Sequence, residues 1–241
     1  MQEGISRLLL PGPDSLKCGS MTHASPPMQA YYAARAPYYD AVYLKPERQA
    51  DIAFLSSHLP SRLAGRDVLE VACGTGYWTQ FIAPAASSVV ATDATAEPLE
   101  IARLRPHTGN VRFVQADAYA LPEDLGRFDG AFAGLWFSHV PIESRAAFLQ
   151  SLHSRLLPGA RVVLLDNSEV QCLELPIVER DAVGNTYQFR ALKDGTTHRV
   201  LKNFPSETEL LALVAPLSTA CHFRRLDNFW MLEYELGSRP K

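Results

Sequence analysis

No run of apolar residues in this 241-residue chain approaches the length needed to cross a bilayer, so no membrane partner is expected. Leu8-Leu9-Leu10 ends at Pro11, too short for the apolar region of a secretory signal. Positive charge is not in excess: 23 Lys and Arg face 26 Asp and Glu, for a formal net charge of -3. That balance argues against a dedicated nucleic-acid binder, which carries a basic face. Cysteine is scarce, with Cys18, Cys73, Cys172 and Cys221 forming neither a CxxC pair nor a zinc-ligand spacing. The histidines offer no ligand spacing either, so no metal site is expected. Isolated cysteines of this kind fit a reducing cytoplasm. Outside the glycine-containing segment around Cys73, they read as small buried hydrophobes. Internal repeats and low-complexity tracts are also lacking.

What is present is an ordinary globular balance, 47% hydrophobic and 20% charged, on a length that suits one α/β domain. Residues 1–27 mix Gly, Pro, Ser and Asp without an apolar period and read as a disordered tail; Gly19-Ser20-Met21 resembles a cloning scar before a native start. Residues 28–241 read as the domain. Tyr31, Tyr32, Tyr38, Tyr39 and Tyr43 crowd a helix broken around Pro37, and a second helix is predicted from Pro46 to about His58. A βα rhythm follows. Strands are predicted at Asp67–Ala72, Ser88–Asp93, Val111–Gln115, Phe128–Leu135 and Arg161–Leu165. Helices are predicted at Tyr77–Ala83, Ala96–Leu104 and Ile142–Leu157. This alternation implies a doubly wound, mostly parallel sheet covered on both faces. Lys193-Asp194-Gly195 reads as the turn of a hairpin, Ser206 with Glu209 as a capping box, and two last strands fall near His222–Leu226 and Phe229–Glu235.

In open parallel sheets, ligands bind beyond the carboxyl ends of the strands, where strand order reverses. The first strand delivers Glu70-Val-Ala-Cys-Gly-Thr-Gly76 to such a place, and Gly74 and Gly76 permit a sharp turn close to a ligand. A dinucleotide fingerprint needs a third glycine to seat a pyrophosphate. It is missing whether one counts from Gly74, which leads to Trp78-Thr79, or from Ala72, which leads to Tyr77. A ligand without phosphates fits better than NAD. Asp93 ends the second strand, where an acid hydrogen-bonds ribose hydroxyls. Asp117 follows the third strand, placed to accept from an adenine amine. Together these describe an adenosine pocket.

Val68-Leu-Glu-Val-Ala-Cys-Gly-Thr-Gly76, Ala91-Thr-Asp93, Gln115-Ala-Asp117, Phe128-Asp-Gly-Ala-Phe132 and Leu157-Pro-Gly-Ala-Arg-Val-Val163 resemble, in order, the motifs of class I S-adenosylmethionine-dependent methyltransferases of the small-molecule type. The resemblance implies a Rossmann-like seven-stranded sheet whose last strand is antiparallel, here with an N-terminal helical lid and a hairpin insertion after strand five. It implies S-adenosyl-L-methionine as cofactor and S-adenosyl-L-homocysteine as product. Glu70 and the Gly74 turn would hold the methionyl part, Asp93 the ribose and Asp117 the adenine. Tyr39 with Asp40 resembles the Tyr-Asp pair near the cofactor in many relatives. Ala72, Cys73, Gly76, Trp78, Ala94, Ala118 and Trp136 complete the expected cofactor surroundings. Ala72 departs from the motif, which has glycine at that place.

His139, beyond the fourth strand, is the candidate general base, with capping or pocket lining as its plain reading. The segment lacks the Asn/Asp-Pro-Pro-aromatic signature of amino-group methylation on nucleobases, and offers Trp136 and Phe137 instead. Tyr32, Tyr43, Phe137, Tyr187 and His198 are the candidate acceptor contacts, and core or cross-strand packing is the plain reading of each. The expected reaction is methyl transfer to an O or N atom of a small, aromatic or apolar metabolite. The rivals are a protein keeping the same pocket for other or no chemistry, such as an aminopropyltransferase, and an NAD-dependent oxidoreductase.

Overall fold

The computed structural model describes residues 26–237. The expected tail lies outside the described residues up to residue 25, as does Cys18. The first helix, α1 (Pro26–Arg35), passes into a 3-10 stretch, Ala36–Tyr43, kinked at Tyr38. A short 3-10 turn, Pro46–Arg48, then leads into α2 (Gln49–Leu63). Next come β1 (Asp67–Val71), α3 (Thr79–Ile82), β2 (Ser88–Asp93), α4 (Ala96–Ala102), β3 (Val111–Gln115) and β4 (Phe128–Gly134). The chain continues through α5 (Arg145–Ser154) and β5 (Leu156–Asn167) into a side sheet of β6 (Glu179–Arg180), β7 (Thr186–Ala191) and β8 (Thr197–Leu201). It closes with α6 (Glu207–Val214), β9 (Ser218–Arg225) and β10 (Phe229–Leu236).

The main sheet runs β3-β2-β1-β4-β5-β10-β9. The pairs among β1 to β5 are parallel, and β10 is antiparallel to both neighbours. β1 lies at the centre because Val68, Leu69 and Val71 are buried on both of its faces, as a strand covered on two sides requires. Alternation sorts the core into two layers. Leu69, Val71, Ala131, Ala133, Val162 and Leu164 pack against α5 and α6. Val68, Val89, Phe132, Val163 and Met231 pack against Leu55, Leu59 and Leu63 of α2.

Chain order reverses between β1 and β4, so a crevice opens at their carboxyl ends. The side sheet leans over that crevice. Tyr31 of α1 packs with Leu192 and Val200, and Asn203 N–H donates to the Ser138 carbonyl at 2.8 Å. Lid and insertion therefore cover the strand ends jointly. Among the described residues, no helix is long and apolar enough to cross a membrane.

Two expectations change and one holds. The helix placed at Ile142–Leu157 stops at Ser154, because Pro158 disfavours helical backbone before it; Leu157-Pro158-Gly159 instead opens a longer β5 with a register shift against β4. Cys221 is exposed on the edge strand β9, and Cys172 is half-buried, so neither is a buried hydrophobe. The capping box forms as read, with Ser206 N–H donating to Glu209 Oε2 at 2.7 Å and Glu209 N–H to Ser206 Oγ at 3.2 Å.

Candidate active site

The loop after β1 is built on left-handed backbone at Ala72 (φ 54°), Gly74 (φ 55°) and Gly76 (φ 71°). It is tied down at three points. Cys73 N–H donates to the Thr92 carbonyl at 2.9 Å, Gly74 N–H to Asp93 Oδ2 at 3.0 Å, and Thr75 Oγ1 to Asp40 Oδ1 at 2.6 Å. Asp40 also pairs with Arg105, so the lid is anchored to the loop. Gly76 does not reach the cavity. A Cβ there would lie 2.9 Å from Ala102 Cβ and 3.1 Å from its Cα, so the residue serves close packing of the loop on α4. Gly76→Ala adds that overlap to an unfavourable φ and is expected to cost about 2–4 kcal/mol. Thermal denaturation checks this; a melting point within a degree of wild type would contradict it.

Three acids converge on the cavity of about 980 Å3 that the loop borders. Glu70 is 1% exposed, its Oε2 has no hydrogen-bond partner, and burial pushes its pKa up to about 8. A buried carboxyl lining a cavity, with one oxygen unpartnered and only the Thr79 hydroxyl easing its ionisation, wants a cationic or hydrogen-donating ligand. Asp93 accepts from Gly74 N–H through Oδ2 and from Thr95 N–H and Oγ1 through Oδ1, which leaves Oδ2 free to accept once more. Burial raises its pKa, and these donors work against the rise. Asp117 Oδ1 accepts from Tyr119 N–H at 2.9 Å, holding the turn after β3. With Tyr39, Ala72, Cys73, Gly74, Trp78, Ala94, Ala118 and Trp136, these acids line one cavity. The orphaned Glu70 oxygen, the ribose-type acid at β2 and the absence of a phosphate-binding third glycine fit a nucleoside ligand with a cationic, phosphate-free arm.

At the exit of β4, Leu135 adopts φ 57°, a costly conformation for a branched residue, and turns the chain so that Trp136 and His139 face the cavity. His139 Nδ1 lies 2.6 Å from the Leu201 carbonyl. A carbonyl only accepts, so Nδ1 carries the proton and Nε2 presents its lone pair. That lone pair accepts from the Tyr32 hydroxyl at 2.8 Å, and Tyr32 in turn accepts from Arg190 Nη1 at 3.1 Å. Burial, then the nearby Lys202 and Arg190 cations, hold His139 well below the usual histidine range, so it is neutral at physiological pH. Burial also raises the Tyr32 pKa, which keeps its hydroxyl protonated and donating.

Behind His139 stands a closed polar network. Lys202 and Asp166, 1% and 0% exposed at their side chains, pair at 3.0 Å. Ser138 donates to Asp166 through both N–H and Oγ, while Lys202 Nζ donates to Ser138 Oγ at 2.6 Å. Although burial favours its neutral form, the Lys202 ammonium and the Ser138 N–H hold Asp166 below the usual carboxylate range.

Of the acceptor residues read from the sequence, Tyr32 and Tyr43 line the cavity. Phe137 does not: it is fully buried against Phe148 and Trp230. Tyr187 sits on the side sheet under Arg199 and donates to Asp181, and His198 packs on Tyr31 outside the cavity. Both belong to β strands whose alternation turns them away. Sequence reasoning did not single out Arg35, Arg48 or Lys202, which gather with Arg190 beside His139. They come from separate elements, and no spacing marks them as a set.

A family model described as "Methyltransferase domain" matches residues 68–159. The demethylmenaquinone methyltransferase of Lactococcus lactis is 32% identical over 113 residues, 44% of this chain and 44% of that protein. The chain spans about half the length of the curated relatives it matches. Among solved structures, the DhpI–SAH complex is 29% identical, covering 91% of this chain and 100% of that one with a TM-score of 0.75. The DhpI–SAM–HEP complex is 30% identical, covering 89% and 98% with a TM-score of 0.73.

Proposed function

The chain belongs to the class I S-adenosylmethionine-dependent methyltransferases, and from that membership we propose that it methylates an O–H or N–H group of a small molecule seated at Tyr32 and His139. The observation that carries the reading is the pair itself: a neutral His139 with its lone pair directed at a cavity-lining hydroxyl, next to the cavity of Glu70, Asp93 and Asp117.

When bound, the cofactor supplies a methyl group on a cationic sulfur, which becomes a neutral thioether as the acceptor's lone pair takes the methyl. The chain's own work is alignment, exclusion of water and removal of one proton. Glu70 and the loop at Gly74 would hold the methionyl end, Asp93 the ribose and Asp117 the adenine. The acceptor's proton passes to the Tyr32 oxygen while Tyr32 gives its own proton to His139 Nε2. The Leu201 carbonyl fixes the tautomer that makes this transfer possible.

Calorimetry with S-adenosylhomocysteine tests the cofactor site. Wild type is expected to bind, and Asp93→Ala, which removes the ribose acceptor and the Gly74 anchor, to bind at least about tenfold more weakly. A folded wild type that shows no heat at millimolar ligand would end this reading.

A further inference from the structure

A second cavity, of about 650 Å3, adjoins the cofactor cavity and shares Tyr32, Tyr39, Leu135 and His139 with it. Its remaining wall is cationic, with Arg35, Arg48, Arg190, Lys45 and Lys202 against a single lining carboxylate, Glu174. Glu174 pairs with Lys45, and Lys202 is neutralised by Asp166. Among the described residues, Arg35, Arg48 and Arg190 have no carboxylate at salt-bridge distance.

Two of these guanidiniums are buried and Arg35 is half-buried. Arg48 is 5% exposed and its Nε has no hydrogen-bond partner, while Arg190 is 6% exposed. The Asn167 Oδ1 and Gln171 Oε1 atoms on the same wall are also unpartnered, and as acceptors they suit N–H or O–H groups on the rest of the acceptor molecule, not its charged head. Arg190 is oriented by Gln188, whose Oε1 accepts from its Nε at 3.1 Å and its Nη2 at 2.6 Å, and Nη1 reaches Tyr32. Arg35 is held over the Tyr31 and Tyr39 rings. Leaving buried charges unpaired is strongly unfavourable, so an arrangement of this kind is complete only with an anion in it.

We propose that this cavity is the acceptor subsite and that it selects small acceptors carrying an oxyanion head group, of carboxylate or phosphate type, gripped by Arg190, Arg48 and Arg35. The inference rests on the reading of the neighbouring cavity as the cofactor site. It adds a charged head group to the aromatic or apolar acceptor expected from Trp136 and Phe137, of which Trp136 lines the cofactor cavity and Phe137 is buried away from it. Planar guanidiniums suit either oxyanion by paired hydrogen bonds. The head group is a handle: its charge sits against Arg190, which touches Tyr32, and so places the rest of the acceptor at the Tyr32–His139 pair. It also serves the chemistry. The same cations that fill the wall disfavour a positive His139, and an anion among them offsets that effect as the proton arrives.

The test is calorimetry on the chain saturated with S-adenosylhomocysteine, titrated with inorganic phosphate and separately with succinate, against chloride at equal ionic strength. Saturable binding of at least one probe is expected, weakened about tenfold or more in Arg190→Gln and in Arg48→Gln. Retained S-adenosylhomocysteine binding and an unchanged melting curve serve as folding controls, and either variant suffices if the other fails them. The probe preferred tells carboxylate from phosphate. Binding of neither probe, or binding unchanged in the folded variants, overturns the proposal while leaving the cofactor site standing. Displacement of S-adenosylhomocysteine by phosphate overturns it too, because the arginines then serve the cofactor's own carboxylate. Failure of S-adenosylhomocysteine to bind strikes the underlying reading instead, and phosphate titration of the chain alone then decides the anion site by the same variants.

Discussion

Binding of S-adenosylhomocysteine is expected to release close to one proton near pH 7, and Glu70→Gln is expected to abolish that release. In the ligand-free protein, burial raises the Glu70 pKa to about 8, the Thr79 hydroxyl working against the rise, and the Cys73 thiol lies within its electrostatic reach. Cys73 is itself pushed up by burial and stays a thiol, so it contributes no countercharge. The carboxyl is therefore protonated at neutral pH. The ammonium of a methionyl arm favours its ionised form, so the bound pKa falls and the proton leaves. Affinity then rises with pH, by at most about tenfold per unit, and levels off above pH 8. In Glu70→Gln it is weaker and flat with pH. Calorimetry in two buffers of different ionisation enthalpy reads the proton directly; equal apparent enthalpies in wild type would refute the assignment.

The same residue fixes the sign of a stability effect. Glu70 has its folded pKa raised above the unfolded one, so its contribution is full below about pH 4.5 and is lost as pH rises through 8. The loss is on the order of 1 kcal/mol per pH unit. A cofactor that ionises Glu70 productively compensates it, and stabilisation by ligand should therefore grow with pH.

Much of this architecture is legible in the residues themselves. Ser88–Asp93 has the strand limits read from its apolar run because a parallel strand buried on two faces leaves an unbroken apolar segment. The half-exposed edge strand Val111–Gln115 keeps its limits through the β-branched and aromatic Val111, Phe113 and Val114. The acids at 70, 93 and 117 are visible because each lies in or just past the last residues of a strand, and sheet order then gathers those strand ends at one edge. What sequence does not disclose is long-range assembly. Tyr32 and His139 stand 107 residues apart, and nothing in either segment marks the other as partner. Arg48 and Arg190 look like ordinary surface arginines until folding leaves them 5% and 6% exposed, with the half-buried Arg35 on the same cavity wall. Phe137 falls outside the cavity for a related reason. The left-handed turn at Leu135, a conformation sequence gives little reason to expect outside glycine, decides which of Trp136, Phe137 and His139 reaches the cavity.

His139→Gln is expected to lower kcat by about a hundredfold to ten-thousandfold with little change in the binding of S-adenosylhomocysteine. Glutamine preserves much of the volume and can still accept from Tyr32, so the cavity wall persists while the proton acceptor is lost. Tyr32→Phe tests the other half of the pair. If the proton travels through the Tyr32 oxygen, this variant loses a comparable factor; if Tyr32 merely shields His139, removing its hydroxyl exposes Nε2 and leaves kcat near wild type. The pH profile separates the roles again. A neutral, strongly shifted His139 gives a rate that falls only at acidic pH in wild type, and that limb should vanish in His139→Gln. Survival of kcat in His139→Gln would mean that the acceptor arrives already deprotonated. The oxyanion beside Arg190 would then be the group that takes the methyl, and the pair would position it without receiving a proton.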